Sequence, residues 1–380
     1  MENHGLFGPD RIVYHWRLFH IGNDLIKYQD ENMKKFAVLS AVVAAVLAGV
    51  TGCGPANQSG GSDGGGEKKP LFAFVTNMPA SFWVIAQKGV EKAAADLNVD
   101  YKVDMPTGGS VGQKRVLEDH LARGVHGIAV SVIDPANQLD ILNQVASRSI
   151  LITHDADAPD SDRKVYIGMD NYIAGRMCGK LVKEALPNGG KVMIYVGRIE
   201  QDNGRRRRQG VIDELLDRTE DAMRFDPPEA SLSGNGYEIL GTLTDQGDPV
   251  RAKANAEDTL TRHPDINCMV GLFAYNPPAI LEALSQAGKL NEVKVVAFDE
   301  DDISLQGIVD GTIHGTVVQN PYMYGYKSIE VLNAIYKGDT SVIPESKFID
   351  IPARSIRKDN VQEFWDDLKT KTMEPESSEG

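Results

Sequence analysis

Cysteine is scarce. The chain of 380 residues holds three, Cys53, Cys178 and Cys268. Three widely spaced thiols form neither a disulfide framework nor a metal site, and His263 near Cys268 is too isolated to be a ligand. Cys178 falls in a helical pattern and Cys268 in an apolar strand pattern, so both read as buried thiols. Positive charge is also short, with 40 Lys and Arg against 54 Asp and Glu, a formal net charge of −14. No basic stripe argues for nucleic acid, and the one dense basic run, Arg205 to Arg208, reads as a solvated helix face. No Gly-x-Ser-x-Gly elbow, metal-ligand spacing or complete dinucleotide fingerprint occurs, and no Gly-Lys-Ser/Thr follows the glycines near Gly60. These absences point away from an enzyme, a metal site and a cofactor.

One long apolar run exists, Phe36 to Val50, fifteen residues. A bilayer-spanning helix needs about twenty. Lys34 and Lys35 precede the run and Thr51-Gly52 follow it, the layout of a secretory signal peptide. Val50-Thr51-Gly52-Cys53 resembles the bacterial lipobox, in which the cysteine is acylated and the chain is cut before it. The expectation is therefore a start at Met33, with residues 1–32 an upstream extension or a long n-region, and residues 1–52 set aside from the fold. Residues 53–69, GPANQSGGSDGGGEKK after the lipidated Cys53, read as a flexible linker. The acidic tail, residues 369–380, reads as disordered.

The remaining 300 or so residues suggest two lobes. Nine apolar runs of strand length recur, at 71–76, 99–104, 127–133, 150–155, 192–197, 237–243, 268–274, 293–299 and 313–319. Amphipathic helical stretches lie between most of them, which implies βαβ units and parallel sheets buried on both faces. Several runs end in an amide or carboxylate: Asn77, Asp134, Asp155, Asn276, Asp299 and Gln319. Ligands of open α/β sheets bind outside the carboxyl ends of the strands, and such side chains match a polyhydroxylated ligand. Each alone also reads as a helix cap or turn former, and Asp134 before Pro135 favours the cap. Phe82 and Trp83 open the helix after the first strand, where flat rings can cover the apolar face of a sugar.

Taken in order, these motifs resemble the periplasmic substrate-binding proteins of the ribose/galactose type, sugar receptors of ABC importers. The likeness covers residues 70–358. It rests on Asn77-x-x-x-x-Phe82-Trp83, Thr153-His154-Asp155, Asp170-Asn171, Asn203-x-x-x-Arg207-x-x-Gly210, Ala274-Tyr275-Asn276, Ala297-Phe298-Asp299 and Val317-Val318-Gln319-Asn320-Pro321. The resemblance implies two doubly wound α/β lobes joined by three hinge crossings, with 70–169 and 320–346 in the first lobe and 170–319 and 347–368 in the second. It also implies a ligand set of Asn77, Phe82, Trp83, Asp155, Arg207, Asn276, Asp299 and Gln319.

Two positions depart from the ribose pattern. Ala156 stands where that family has an arginine, and Gly247-Asp248 stands where it has an aromatic residue. Asp157, Asp248 and Tyr275 are candidate replacements. The implied protein is a monomer outside the cytoplasm, in the periplasm or on the cell surface. It would be held to the membrane only by lipid, closing on a sugar and presenting it to a permease. A receptor feeding a chemotaxis or sensor-kinase pathway is the alternative. The ligand-sensing half of a lac-repressor-type factor is disfavoured, because the N-terminus shows a signal peptide instead of a DNA-binding headpiece.

Overall fold

The computed structural model of the protein describes residues 69–372. The signal segment, Cys53, the linker to residue 68 and the tail from residue 373 lie outside the described residues. Strands β1 (Leu71–Val75), β2 (Asp100–Asp104), β3 (Gly127–Val130), β4 (Ile150–His154) and β5 (Tyr166–Gly168) enclose helices α1 (Ser81–Leu97), α2 (Gly109–Arg123) and α3 (Leu139–Arg148). A second series follows. Its strands are β6 (Gly190–Val196), β7 (Leu232–Gly234), β8 (Tyr237–Thr244), β9 (Cys268–Gly271), β10 (Lys294–Phe298) and β11 (Gly315–Val318). Its helices are α4 (Asn171–Ala185), α5 (Asp202–Leu215), α6 (Pro249–Arg262), α7 (Asn276–Gln286) and α8 (Asp302–Asp310). The chain ends through α9 (Pro321–Tyr336), β12 (Phe348–Asp350), β13 (Arg354–Ile356) and α10 (Val361–Thr372).

The strands form two sheets, β12-β5-β4-β3-β1-β2 and β13-β11-β10-β9-β6-β8-β7. Their ladders are parallel except at two edges of the second sheet, β7 on β8 and β13 on β11. Strands such as Phe72–Val75 and Gly127–Val130 are buried throughout, as parallel strands covered by helices on both faces must be. Each half has the strand order 2-1-3-4-5 at its centre, and the order reverses beside β1 in one sheet and beside β6 in the other. Crevices at such switch points are where open α/β sheets take ligands.

The chain passes between the sheets three times: after β5, after β11 and after β12. The third passage lies between Asp350 and Arg354, later than the 346/347 boundary expected from the resemblance. Phe348–Asp350 pairs in parallel with Tyr166–Gly168, and the Phe348 ring stacks on Tyr166 at 5.4 Å. The short strands β5, β7, β12 and β13 and the helices α8 and α10 were not expected from the sequence. Residues 369–372, read as the start of a disordered tail, complete α10. Lys371 pairs with Asp367 at 2.7 Å, and the Lys369 ammonium sits 3.9 Å from the Trp365 ring centre.

Arg205–Arg208 is not a solvated face. Arg205 and Arg206 pair with Asp202, while Arg207 and Arg208 are each 1% exposed. Arg208 ties α5 to its surroundings, donating to Thr242 Oγ1, Asp226 O and Pro227 O. Cys178 and Cys268 are free and buried.

Helices α4 and α5 cross at Gly175 and Gly210. A Cβ at Gly210 would lie 2.1 Å from Tyr172 O, and one at Gly175 2.1 Å from Arg207 O. Only glycine permits this approach, which seats the α5 backbone and so aims Arg207. Gly210→Ala is expected to destabilise the protein by at least about 1–3 kcal/mol through overpacking. The readout is a lowered urea midpoint with an unchanged slope. An unchanged midpoint would show that the crossing is not tight.

Candidate functional site

Two aspartates at matching positions face each other across the gap between the sheets. Asp155 follows β4 and Asp299 follows β10, each the fourth principal strand of its half. Both have left-handed backbones, φ 57° and 72°, a conformation that costs a non-glycine residue about 1–2 kcal/mol. Each carbonyl is held by a hydroxyl from the next strand: Tyr166 OH donates to Asp155 O at 2.9 Å, and Thr316 Oγ1 donates to Asp299 O at 2.8 Å. The turn points the carboxylate into the gap instead of along a helix.

A relay orients Asp155. Trp83 Nε1 donates to Asn77 Oδ1 at 3.0 Å, Asn77 Nδ2 to Ser131 Oγ at 3.3 Å, and Ser131 Oγ to Asp155 Oδ2 at 2.8 Å. On the other side, Tyr324 OH donates to Gln319 Oε1 at 3.0 Å and Gln319 Nε2 to Asp299 Oδ1 at 2.6 Å. Gln319 sits at the second passage between the sheets, so it links the site to the hinge.

Arg207 lies between the two carboxylates, 3.6 Å from Asp155 and 4.0 Å from Asp299. Asn171 Oδ1 accepts from its Nε at 2.9 Å and Leu272 O accepts from Nη1 at 3.1 Å. Its guanidinium lies 4.3 Å from the Phe298 ring centre. Nη2 is buried with no hydrogen-bond partner. Its nearest carboxylate oxygen, Asp155 Oδ1, stands at 3.6 Å, too far for a hydrogen bond, and a buried donor so held costs free energy until a closer acceptor reaches it.

Burial pushes Asp155 above the usual carboxylate range against the pull of Arg207. It pushes Asp299 up to about 6, again opposed by Arg207. A carboxyl whose folded pKa is raised adds stability below its unfolded pKa and loses it as pH rises through the folded value. For Asp299 the window is about pH 4 to 6. Asp299→Asn removes this titration, so the variant's melting temperature minus the wild type's is expected to rise between pH 4 and 7. A difference that stays flat or falls would show that Asp299 is not held up by burial.

The cleft is lined by Asn77, Phe82, Trp83, Asp155, Arg207 and Asp299, together with Gln319 and Tyr275. Asn203 also lines it, donating to Asp155 Oδ2 at 3.2 Å from the opposite wall. Sequence reasoning placed Asn203 in a motif but not in the site. Because α5 begins at Asp202, Asn203 and Arg207 share one helix face at i, i+4. Phe273 also lines the cleft.

The other expected residues lie elsewhere. Asn276 packs behind the wall, donating to Asp245 Oδ2 at 2.8 Å while its Oδ1 accepts from Phe273 N at 3.1 Å. Asp134 accepts from Asn137 in its own turn. Asp157 pairs with Arg163 and accepts from Thr153. Asp248 is exposed and caps α6 through Val250 N. The inward residue of that segment is Asp245, fully buried, which also accepts from Tyr275 OH. His154, beside Asp155, stacks on Phe74 at 4.0 Å, and burial holds it neutral with a pKa of about 3. Among the described residues no cluster of His, Cys, Asp or Glu is arranged to hold a metal ion.

The profile of a family described as periplasmic binding protein domain matches residues 72–340. The ribose import binding protein RbsB of Salmonella typhimurium is 24% identical over 314 residues, covering 81% of this chain and 94% of that protein. The xylose/arabinose-binding protein XylF of Sulfolobus acidocaldarius is 25% identical, covering 76% and 71%. Among solved structures, an ABC transporter solute-binding protein from Burkholderia graminis in complex with D-arabinose superposes with a TM-score of 0.69 at 26% identity. That match covers 77% of this chain and 96% of the other. With a profile spanning both sheets and the cleft between them, the chain belongs to the periplasmic binding protein domain family.

Proposed function

We propose that the protein is an extracytoplasmic receptor that captures a monosaccharide or related polyol between its two lobes and delivers it to an ABC permease. The observation that carries this reading is Nη2 of Arg207, buried without a hydrogen bond, in a guanidinium that lies between Asp155 and Asp299. A ring oxygen can accept from Nη2, while neighbouring hydroxyls donate to the two carboxylates. Trp83 and Phe82 offer apolar ring surface for the C–H face of the sugar.

The reading includes hinge motion. Asn203 touches Asp155 across the gap, and the free volume between the walls is about 40 Å³. That suits a water better than a sugar ring. Entry requires the lobes to part at the three passages, and closure replaces the Asn203–Asp155 contact with contacts to ligand hydroxyls. The ligand shifts the population only through its better contacts with the closed form.

The test is the melting temperature of the full chain, refolded from denaturant to strip any carried ligand, with D-ribose, D-xylose, D-arabinose, D-allose, D-galactose and D-glucose. A ligand at 100 times its Kd adds about 2.7 kcal/mol. A shift with one or a few sugars supports the reading, and no shift with any of them contradicts it.

The domain is extracytoplasmic by family, and among the described residues no helix is long and apolar enough to cross a membrane. The proposed tether is lipid on Cys53. Cys53→Ser is expected to move the protein from the membrane to the soluble fraction, and continued membrane association would refute the tether.

A further inference from the structure

Beside the cleft runs a wider groove of about 580 Å³. Phe82 and Ala274 line both spaces, so groove and cleft adjoin across these two residues. Its walls come from both lobes. Val84 and Ile85 project from α1, and Ile303, Trp365 and Leu368 from α8 and α10. Val84 is 54% exposed and Ile303 56%, large apolar side chains that no core explains. Trp365 is fixed in place, its Nε1 donating to Asp302 Oδ1 at 2.7 Å.

The floor is acidic. Asp301 is used locally as the cap of α8, and Asp302 holds Trp365. Glu300 differs. It is 4% exposed and lines the groove, its Oε2 accepts from Gln319 N, and its Oε1 has no partner. Apolar walls around an aromatic ring, with the exposed carboxylate of Asp302 among the lining residues and the buried, unpartnered Glu300 Oε1 behind them, match a second polyhydroxylated ring: C–H faces against the walls and a hydroxyl to Asp302. A monosaccharide held between Asp155 and Asp299 would leave all of this unused.

We propose that the groove is a second binding subsite, adjoining the cleft at Phe82 and Ala274, that takes the ring joined to a bound sugar when the lobes part, so that the ligand class extends to disaccharides and aryl glycosides. The inference rests on the sugar-binding reading above. It assigns specificity to α8 and α10, neither of which contributes to the walls around Arg207.

The test is calorimetry on the full chain with paired probes: D-xylose and xylobiose, D-galactose and lactose, D-glucose and cellobiose, each with its 4-nitrophenyl glycoside. In at least one set the substituted sugar is expected to bind about tenfold tighter or more, which is 1.4 kcal/mol. Trp365→Ala and Val84→Ser are expected to remove most of that advantage while leaving the free monosaccharide within about twofold. Val84 is exposed, so its variant reports on the groove even where Trp365→Ala perturbs α10. Substituted sugars that bind no tighter than the parent in every set would overturn the subsite, as would an advantage that survives both substitutions. Monosaccharide binding without that advantage leaves the receptor reading standing, whereas no binding by any probe removes both.

Discussion

Replacing Arg207 with methionine is expected to abolish sugar binding, weakening it more than about a hundredfold, and to destabilise the fold by about 3–5 kcal/mol at neutral pH. The reason is charge. Asp155 and Asp299 are 3% and 4% exposed, and Arg207 is the cation near both. Methionine fills the volume but leaves two buried carboxylates uncompensated. The loss should depend on pH with a definite sign. Without the guanidinium both folded pKa values climb further above their unfolded values, so the variant's deficit grows as pH rises and shrinks toward pH 5. Denaturant unfolding at pH 5 and 7 measures this. A deficit that is equal at both, or larger at pH 5, would mean that Arg207 acts by packing alone.

Trp83→Ala is expected to cost about 3–5 kcal/mol and to abolish binding as well, because one side chain serves core and cleft together. Trp83 is 2% exposed, stands edge-on to Phe82 at 4.7 Å and to His154 at 5.4 Å, and starts the relay to Asp155. Trp83→Phe separates the roles. Phenylalanine keeps much of the packing but cannot donate to Asn77, so most stability should return while binding stays weakened. Full recovery of affinity in Trp83→Phe would show that the relay does not orient the carboxylate.

The strand runs and their terminal polar residues were legible because both follow from backbone periodicity. A buried parallel strand is apolar throughout, and the residue after it enters the crevice or caps a helix. That rule located Asn77, Asp155, Asp299 and Gln319. It could not say which residue of a turn faces inward. In Thr244-Asp245-Gln246-Gly247-Asp248, Asp245 directly follows β8 and turns in, whereas Asp248 caps α6. The apolar run at 237–243 stops one residue short of the end of β8, so the strand-end rule fell on Thr244 and passed over Asp245. Asn276 was expected in the cleft because the apolar run reads on through residue 274, but β9 ends at Gly271 and Asn276 starts α7 five residues later, bracing the wall from behind. The basic run misled for the opposite reason. Four consecutive arginines look solvated, but a helix sends two of them inward, one to paired aspartates and one to backbone carbonyls. The groove was not visible at all, since one of its two walls comes from α8 and α10, whose patterns were too short or too charged to stand out.

The decisive measurement is calorimetric titration of the refolded full chain with the monosaccharide that shifts its melting temperature most, beside the same titration of Arg207→Met at pH 5, where the variant is most stable. The expected result is one site per chain in the wild type and no detectable binding in the folded variant. Equal affinity in the two proteins would contradict a sugar site between Asp155 and Asp299, and would move the search for the ligand elsewhere in the molecule.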